Sequence, residues 1–137
     1  MNLKNKHILI TGAASGIGEA LSKTFLEKKA KKLMLVDINQ TKLKSLSKAL
    51  KTHYKADILH TVCDVGDKNQ MKICIKDTFK AFGKLDLLCL NAGVIRGLDL
   101  EATDKDWSDS FNVHLYAHLY AIQAAMPYFL AQKHGYI

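Results

Sequence analysis

Short apolar runs recur along the chain, and the segment between each run and the next is long enough to form one helix. The runs lie at 7–11, 33–36, 58–63 and 86–90. Each has the length of a strand and is followed by Gly, Asp or Asn, which favour turns. Continuous rather than alternating apolar character is typical of strands buried on both faces of a parallel sheet.

Helical spacing of apolar residues fills the intervening segments, over 17–29, from Asn39 through Leu50, from Asp67 to near Gly83, and from Thr103 onward. Asn39 is a good helix N-cap, the pair Asp67/Gln70 resembles a capping box, and Thr103 with Asp106 opens the last long helix. The order is β-α-β-α-β-α-β-α, and residues 136–137 have the character of a fifth strand's start. This alternation predicts an α/β fold, in which a parallel sheet has helices on both faces. We expect a single domain over residues 1–137.

Composition agrees with a globular domain, with 48% apolar and 24% charged residues. The net charge is +7, but 19 of the 20 basic residues are Lys and only Arg96 is Arg. Nucleic-acid readers depend on Arg for base edges, so we interpret the lysines as solvated helix surface and expect no nucleic-acid partner. Cys63, Cys74 and Cys89 form no metal or disulfide motif, which favours a reducing cytoplasm.

Residues 110–132 contain no charged side chain and are numerous enough to cross a bilayer. Polar residues interrupt this stretch, among them Asn112, His118 and Gln123, and such groups are costly in lipid. A buried helix of a water-soluble domain is therefore predicted, with no membrane span. The apolar run at 7–10 is also too short for a signal peptide.

The segment 11–18, which reads TGAASGIG, lies where the first strand passes into the first helix. Glycines at that point allow a tight turn and let phosphate oxygens approach the backbone. The helix N-terminus then presents unpaired N–H groups and a positive dipole to a pyrophosphate, and Ser15 adds a hydroxyl donor. The segment predicts a dinucleotide-binding loop, although glycines also occur in ordinary turns.

Asp37 ends the second strand, 19 residues after Gly18. An acid there can accept hydrogen bonds from ribose hydroxyls and would repel a 2′-phosphate. Neither Ala14 nor Ser15 supplies a cation to offset that repulsion. The sequence therefore favours NAD over NADP as the cofactor, the alternative being that Asp37 is a simple turn acid.

Together these features resemble the short-chain dehydrogenase/reductase family over the whole chain. The segment 11–18 resembles the family's T-G-x-x-x-G-I-G loop, Asp64-Val65 its adenine-holding pair, and Asn91-Ala92-Gly93 its N-A-G signature. The resemblance implies a Rossmann-type doubly wound sheet of strand order 3-2-1-4 and hydride transfer between NAD and an alcohol or ketone. The cofactor-binding residues it implies are Gly12, Ser15, Gly16, Ile17, Gly18, Asp37, Ile38, Asp64, Val65, Asn91, Ala92, Gly93 and Val113.

The same resemblance gives Asn112 a catalytic role. In the family this Asn kinks its helix and orders a water of the proton relay. The segment 94–102 would flank the substrate entrance, where Ile95, Leu98 and Leu100 suit an apolar pocket.

The family's chemistry also uses a Ser and a Tyr-x-x-x-Lys pair, and no tyrosine in this chain has Lys four residues later. About half of the family's usual domain is present, so we expect a fold truncated at its C-terminus and inactive alone. Two hypotheses remain open, a fragment of an oxidoreductase and a non-catalytic dinucleotide-binding or assembly module. The uncharged last helix predicts a homo-oligomer or self-association through that helix.

His114 and His118 are four residues apart on the last helix, which is a spacing that can place two rings on one metal. Without a third ligand the pattern is weak, and we interpret both as core or interface residues rather than as a metal site.

Overall fold

A computed structural model describes residues 2–97 and 99–137, so the predicted pocket residue Leu98 lies outside the described part. The strands are β1 (His7–Thr11), β2 (Lys32–Asp37), β3 (Asp57–Val62) and β4 (Leu87–Cys89). The helices are α1 (Gly16–Glu27), α2 (Gln40–His53), α3 (Lys68–Phe82), α4 (Asp104–Phe111) and α5 (Ala117–Gln132), with a π-helical segment, Asn112–Tyr116, between the last two.

The described strands form one parallel sheet in the order β3-β2-β1-β4, which confirms the predicted Rossmann-type topology. Tyr136 makes a parallel bridge to Leu87 on the outer side of β4, where the sequence places the start of a fifth strand. The carboxyl ends of all four strands consequently lie along one edge of the sheet, where ligands bind in open α/β folds.

Two apolar clusters cover the sheet, one on each face. The side chains of Ile8 and Ile10 pack toward α1 and α2, whereas those of Leu9 and Leu88 pack toward α3 and α5. Because successive side chains of a strand point to opposite faces, a strand covered by helices on both sides must be apolar throughout. Burial of one Leu or Ile contributes about 1.5–3 kcal/mol, and these central side chains anchor the edge that carries the site.

The predicted caps are present. The Asn39 side chain accepts from the Lys42 amide at 3.0 Å, and Asp67 accepts from the Asn69 and Gln70 amides. Gly83 ends α3 in the left-handed conformation, and Thr103 with Asp106 forms a reciprocal capping box at the start of α4.

The prediction of a buried last helix is correct for only one face of α5. Ala117, Ala121, Ala125 and Phe129 are buried against the sheet and α3, but Leu119 and Leu130 are exposed. The absence of charge does not distinguish a buried position from an exposed one, because exposed positions can also be uncharged. In the described residues, no helix is both long and apolar enough to cross a bilayer.

A buried carboxylate ties together the amino-terminal edge of the sheet. Asp86, whose side chain is 1% exposed, accepts from the His7 amide at 2.8 Å. The Nζ atoms of Lys6 and Lys84 lie 3.4 Å and 3.2 Å from its oxygens, and His134 Nε2 lies 3.4 Å away. This cluster connects β1, the start of β4 and the C-terminal segment, and it lies at the edge opposite to the candidate site.

Candidate functional site

A cleft of about 380 Å³ opens at the carboxyl ends of the strands. It lies where β1 separates β2 from β4, which is the point at which the strand order reverses. The residues that line it are Gly12, Ser15, Ile17, Asp37, Ile38, Cys63, Asp64, Val65, Asn91, Ala92, Gly93, Val94 and Val113.

Two glycines of the first loop are required by close backbone contacts. Gly12 has φ +65°, and a Cβ on it would lie 2.7 Å from the Ala92 Cα. A Cβ on Gly18 would lie 2.0 Å from the Gly12 carbonyl oxygen. Both distances are too short for any side chain, so the loop can pack against the start of α1 and the end of β4 only with glycine at these positions.

The first turn of α1 begins directly at the cleft. Ser15 is the N-cap residue, with φ −161°, and within the described residues its hydroxyl caps no amide of the helix. The Ser15 hydroxyl therefore remains available to a ligand at the cleft, as first-turn N–H groups of a helix generally do, and the helix dipole favours an anionic ligand. This arrangement suits a phosphate group.

Thr11 connects this loop to the end of β4. Its hydroxyl accepts hydrogen bonds from the Asn91 amide at 3.0 Å and the Ala92 amide at 3.1 Å. The Asn91 side chain returns a hydrogen bond from Nδ2 to the Thr11 carbonyl oxygen at 3.1 Å. The two sides of the cleft are thus held at a fixed separation by a residue that is itself 2% exposed.

Asp37 at the end of β2 bonds to the glycine loop from the other side. Its Oδ2 accepts from the Ala14 amide at 2.9 Å, and its Oδ1 accepts from the Asn39 amide at 2.9 Å. Both oxygens keep further lone pairs for hydroxyl donors. Ile38, next to it, is 66% exposed at the mouth of the cleft, where an apolar ligand surface could cover it.

The loop after β3 forms a third wall. The Asp64 carboxylate accepts from the Gly66 amide at 2.9 Å, and the Asp64 amide donates to Gln70 Oε1 at 3.0 Å. Hydrogen bonds from the Gln70 and Asn69 amides hold the pKa of Asp67 below its ordinary value. The loop is therefore fixed to the first turn of α3, which positions Asp64 and Val65 at the cleft.

The segment after β4 is held by a histidine that the sequence did not assign to the site. His114 Nε2 lies 2.7 Å from the Val94 carbonyl oxygen, and its ring is so close to Gly93 that a Cβ there would lie 2.9 Å from Cε1. His114 is exposed, so of the two roles expected for it, core or interface, the core role is wrong. No local signal identifies the contact, because it joins residues 20 positions apart.

Asn112 begins the π-helical segment and therefore lies where the last long helix departs from α-helical geometry. Such segments frequently occur at functional sites. The Asn112 Cβ would lie 3.5 Å from a Cβ on Gly66, so Asn112 is adjacent to the cleft without lining it. Its neighbour Val113 does line the cleft.

The structure therefore brings most of the predicted residues to one cleft. Gly16, Gly18 and Asn112 do not line it; the two glycines belong to the loop and the start of α1. Three residues of the site were not predicted from the sequence. Cys63 and Val94 line the cleft, and the buried Thr11 connects the glycine loop to the end of β4. Within the described residues, no group of three His, Cys, Asp or Glu side chains is arranged to hold a metal ion.

The lining includes the carboxylates of Asp37 and Asp64 but, among the residues that the structure describes, no Lys or Arg. An anionic group in the cleft would depend on amides and the α1 dipole, whereas the acids suit hydroxyl and amino donors. The cleft can thus hold a molecule with a phosphate in the middle and hydrogen-bond donors at a sugar or base.

Comparisons with known proteins agree with this description. The sequence profile of the family described as short chain dehydrogenase matches residues 6–137. The chain is 35% identical over its full length to an uncharacterized oxidoreductase of Listeria innocua and 33% identical to the 3-oxoacyl-[acyl-carrier-protein] reductase FabG of Thermotoga maritima, covering 55% of each. The chain thus spans about half the length of these curated relatives.

Solved structures give the same result. A short chain dehydrogenase/reductase from Burkholderia phymatum, crystallised in complex with NAD, superposes with a TM-score of 0.89 at 29% identity, over 96% of this chain and 47% of that one. A short chain dehydrogenase from Mycobacterium smegmatis superposes with a TM-score of 0.87 at 30% identity, over 95% of this chain and 54% of that one.

Proposed function

The chain belongs to the short chain dehydrogenase family, and from that premise we propose that it is the dinucleotide-binding part of an oxidoreductase that uses NAD(H) and an alcohol or ketone. The observation that carries the proposal is the cleft between the glycine loop, Asp37 and the segment 91–94. Its two tight glycine contacts hold the loop against Ala92 and the start of α1 and so fix the shape of the cleft. A dinucleotide fits the donors and acceptors of this cleft.

In this proposal the amides at the start of α1 and the Ser15 hydroxyl bind the pyrophosphate. Asp37 accepts hydrogen bonds from the adenosine ribose, and Asp64 with Val65 binds the adenine. Ile17 and Ile38, which are both exposed at the cleft, cover its apolar surface. Gly12, Gly16 and Gly18 keep the loop free of side chains, so that the cofactor can approach the protein backbone closely.

The segment 91–93 and Val113 would lie beside the nicotinamide ring. When bound, the cofactor supplies or accepts a hydride. The chain's contribution is to fix the cofactor's position through the Thr11 and His114 contacts, and Asn112 is proposed to hold a water for proton transfer. Because the sequence contains no Tyr-x-x-x-Lys, we propose that this chain alone does not turn over an alcohol.

A preference for NAD over NADP follows from the charge of the cleft. Asp37 places a negative charge where a 2′-phosphate would lie, and the described lining supplies no cation. The alternative, a dinucleotide-binding module with no catalytic role, is not favoured by the comparisons, since the matching family and the relatives are oxidoreductases.

The direct test is calorimetric titration of the purified chain with NADH and NADPH. We expect NADH to bind more tightly than NADPH. Asp37→Asn should reduce the ratio of NADH affinity to NADPH affinity about tenfold, which corresponds to the loss of one charged hydrogen bond. Asp57→Asn, at the opposite end of the sheet, is the matched control and should leave both affinities unchanged. A folded chain that ignores both dinucleotides at millimolar concentration would overturn the proposal.

We also propose that the exposed face of α5 mediates self-association. Leu119 and Leu130 are 44% and 69% exposed, and the helix carries no charge that would oppose contact. Exposed apolar residues grouped on one face commonly mark an interface.

A further inference from the structure

A second groove, of about 380 Å³, lies between α3 and α5 and shares no lining residue with the cleft. Lys68, Lys72 and Lys76 line its α3 side, and because residues four apart share one face of a helix, they form a single row. The row extends over about 12 Å, the length of eight helical residues. Tyr120 and Tyr128, also eight residues apart, line the α5 side. One side of the groove is therefore cationic and the other is largely aromatic.

The α5 side of this groove is apolar and is held in place by the core. The Tyr128 ring stacks on Phe79 of α3 with the two ring centroids 4.3 Å apart. Tyr120 and Ala124 pack against the apolar cluster between the sheet and these two helices, and Pro127 adds to the apolar lining. An alkyl chain in the groove would thus contact carbon atoms whose positions are already fixed.

The positive charge of the lysine row is not neutralised by the chain itself. Among the residues that the structure describes, none of the three lysines forms a salt bridge. Lys68 Nζ lies instead 5.8 Å from the centroid of the Tyr120 ring, whose face attracts a cation. Asp77 is the only acidic residue in the sequence of α3 and does not line the groove, and the sequence of α5 contains none. The groove is therefore complementary to a ligand that has an anionic end and an apolar body.

The size of the groove favours a small molecule over a protein partner. Eight described residues line it, whereas a stable protein interface takes about 20–30 residues from each partner. Its volume lies at the lower end of the range for small-molecule sites, about 300–1,000 Å³. Each lysine presents one compact ammonium group rather than the planar fork of arginine, so a simple carboxylate is sufficient as the anionic end.

We propose that the groove between α3 and α5 binds a linear alkyl carboxylate, with the carboxylate against the lysine row and the alkyl chain against the tyrosine side. Lys72 is the central residue of the row and lies one helical turn from both Lys68 and Lys76. Its charge therefore acts on the carboxylate wherever along the row this group lies. The site is separate from the cleft, so the proposal does not depend on dinucleotide binding.

The experiment titrates the folded, isotopically labelled chain with sodium decanoate, below the concentration at which it forms micelles, and follows the backbone amide signals by NMR. We expect saturable shifts in the segments 68–76 and 120–128. Decyltrimethylammonium has the same alkyl chain with the opposite charge, and acetate has the carboxylate without the chain. Each should bind about tenfold more weakly than decanoate, or less tightly still.

Two substitutions at Lys72 test the charge of the row. Lys72→Glu should weaken decanoate binding about tenfold, whereas Lys72→Arg keeps the positive charge and should bind decanoate as the wild type does. Lys44→Glu makes the same charge change on an exposed position of α2, which covers the opposite face of the sheet, and is the matched control. It should leave decanoate binding unchanged. If Lys72→Glu does not fold, Lys72→Arg and the comparison of the three ligands still test the proposal.

Equal binding of decanoate and decyltrimethylammonium would overturn the proposal, because the lysine row would then have no part in recognition. A wild-type chain that binds no decanoate would overturn it as well, and so would shifts confined to cleft residues such as Ile17 and Ile38. If no decanoate binds and Lys72→Glu, unlike Lys44→Glu, converts a self-associated chain to monomer in sedimentation, a second copy of the chain occupies the groove and the proposal is wrong. None of these measurements uses NADH, so the proposed function succeeds or fails separately.

Discussion

The Thr11 hydroxyl accepts a hydrogen bond from the Asn91 amide, 80 residues later in the chain, at 3.0 Å. The Ala92 amide donates to the same oxygen at 3.1 Å, so one buried hydroxyl satisfies two backbone donors at the end of β4. The glycine loop and the segment beside it are thereby fixed together before any ligand binds.

Replacing Thr11 by Val removes this acceptor with little change in shape. We expect Thr11→Val to lower the free energy of unfolding by about 1–3 kcal/mol, because the two amides lose their partner in a buried place. Thr11→Ser keeps the hydroxyl and is the matched control, with a smaller loss. Urea unfolding followed by circular dichroism measures both, and equal losses in the two variants would contradict the assigned role of the hydroxyl.

The glycine loop offers a comparison of two residues with similar backbones and different surroundings. Gly12 and Gly16 have φ +65° and +53°, but only Gly12 has backbone atoms within 4 Å of a built Cβ. We expect Gly16→Ala to cost about 1–2 kcal/mol, from the left-handed conformation alone. Gly12→Ala should cost a further ~1–3 kcal/mol, because the Ala92 backbone must move.

Denaturant unfolding midpoints of the two variants separate the conformational cost from the cost of the contact with Ala92. The conformational cost is common to both variants, so the difference between them reports the contact. NADH titration of the folded fraction adds a second readout, because displacement of Ala92 would narrow the cleft. If Gly12→Ala is as stable as Gly16→Ala, the Ala92 backbone leaves more room than the 2.7 Å between a Cβ on Gly12 and the Ala92 Cα implies.

The strands were predictable from the sequence because β1 and β2 are covered on both faces, so Ile8, Leu9 and Ile10 had to form a continuous apolar run. The helix starts were predictable because capping is local, as at Asn39 and Thr103. The order of the strands followed from the resemblance to a known family and is confirmed.

Contacts between distant residues could not be predicted in this way. The Thr11 hydroxyl and the His114 ring bond to backbone atoms 80 and 20 residues away. Every residue has the same backbone groups, so the sequence does not show which of them a side chain will contact. The exposure of Leu119 was missed for another reason, since the absence of charge does not distinguish a buried position from an exposed apolar one.

The buried carboxylate of Asp86 should make stability depend on pH in the acid range. Burial raises the pKa of this group, but the His7 amide and the Lys84 and Lys6 ammonium groups outweigh burial and hold it below the ordinary value. A lowered folded pKa contributes stability that is present above the unfolded pKa, about 3.9, and is lost as the pH falls through the folded value.

We therefore expect Asp86→Asn to destabilise the chain by about 1–3 kcal/mol at pH 7, where the charged hydrogen bonds are made. The difference between wild type and variant should begin to shrink as the pH falls below about 4, because the unfolded chain then binds a proton that the folded carboxylate binds only at lower pH. Asp77→Asn, on the exposed face of α3, is the surface control. Thermal unfolding across pH 3–7 measures the difference, and a gap that stays constant would contradict the role of the charge.

The exposed face of α5 leads to a prediction about assembly. Leu119 and Leu130 are separated by three helical turns on a helix without charged side chains. We expect Leu119→Glu with Leu130→Glu to shift the chain toward monomer, because each carboxylate would have to lose its water in an apolar contact. The shift should be visible by sedimentation velocity over a range of concentrations.

Ile73→Glu on α3 is the matched control, since Ile73 is 58% exposed but lies on a helix that already carries four lysines. It adds one negative charge to the surface without changing α5, and should leave the sedimentation coefficient as in the wild type. If the control dissociates the chain as well as the α5 variant does, general charge rather than the α5 face governs association. If the wild type is monomeric at every concentration, the interface assigned to α5 is wrong.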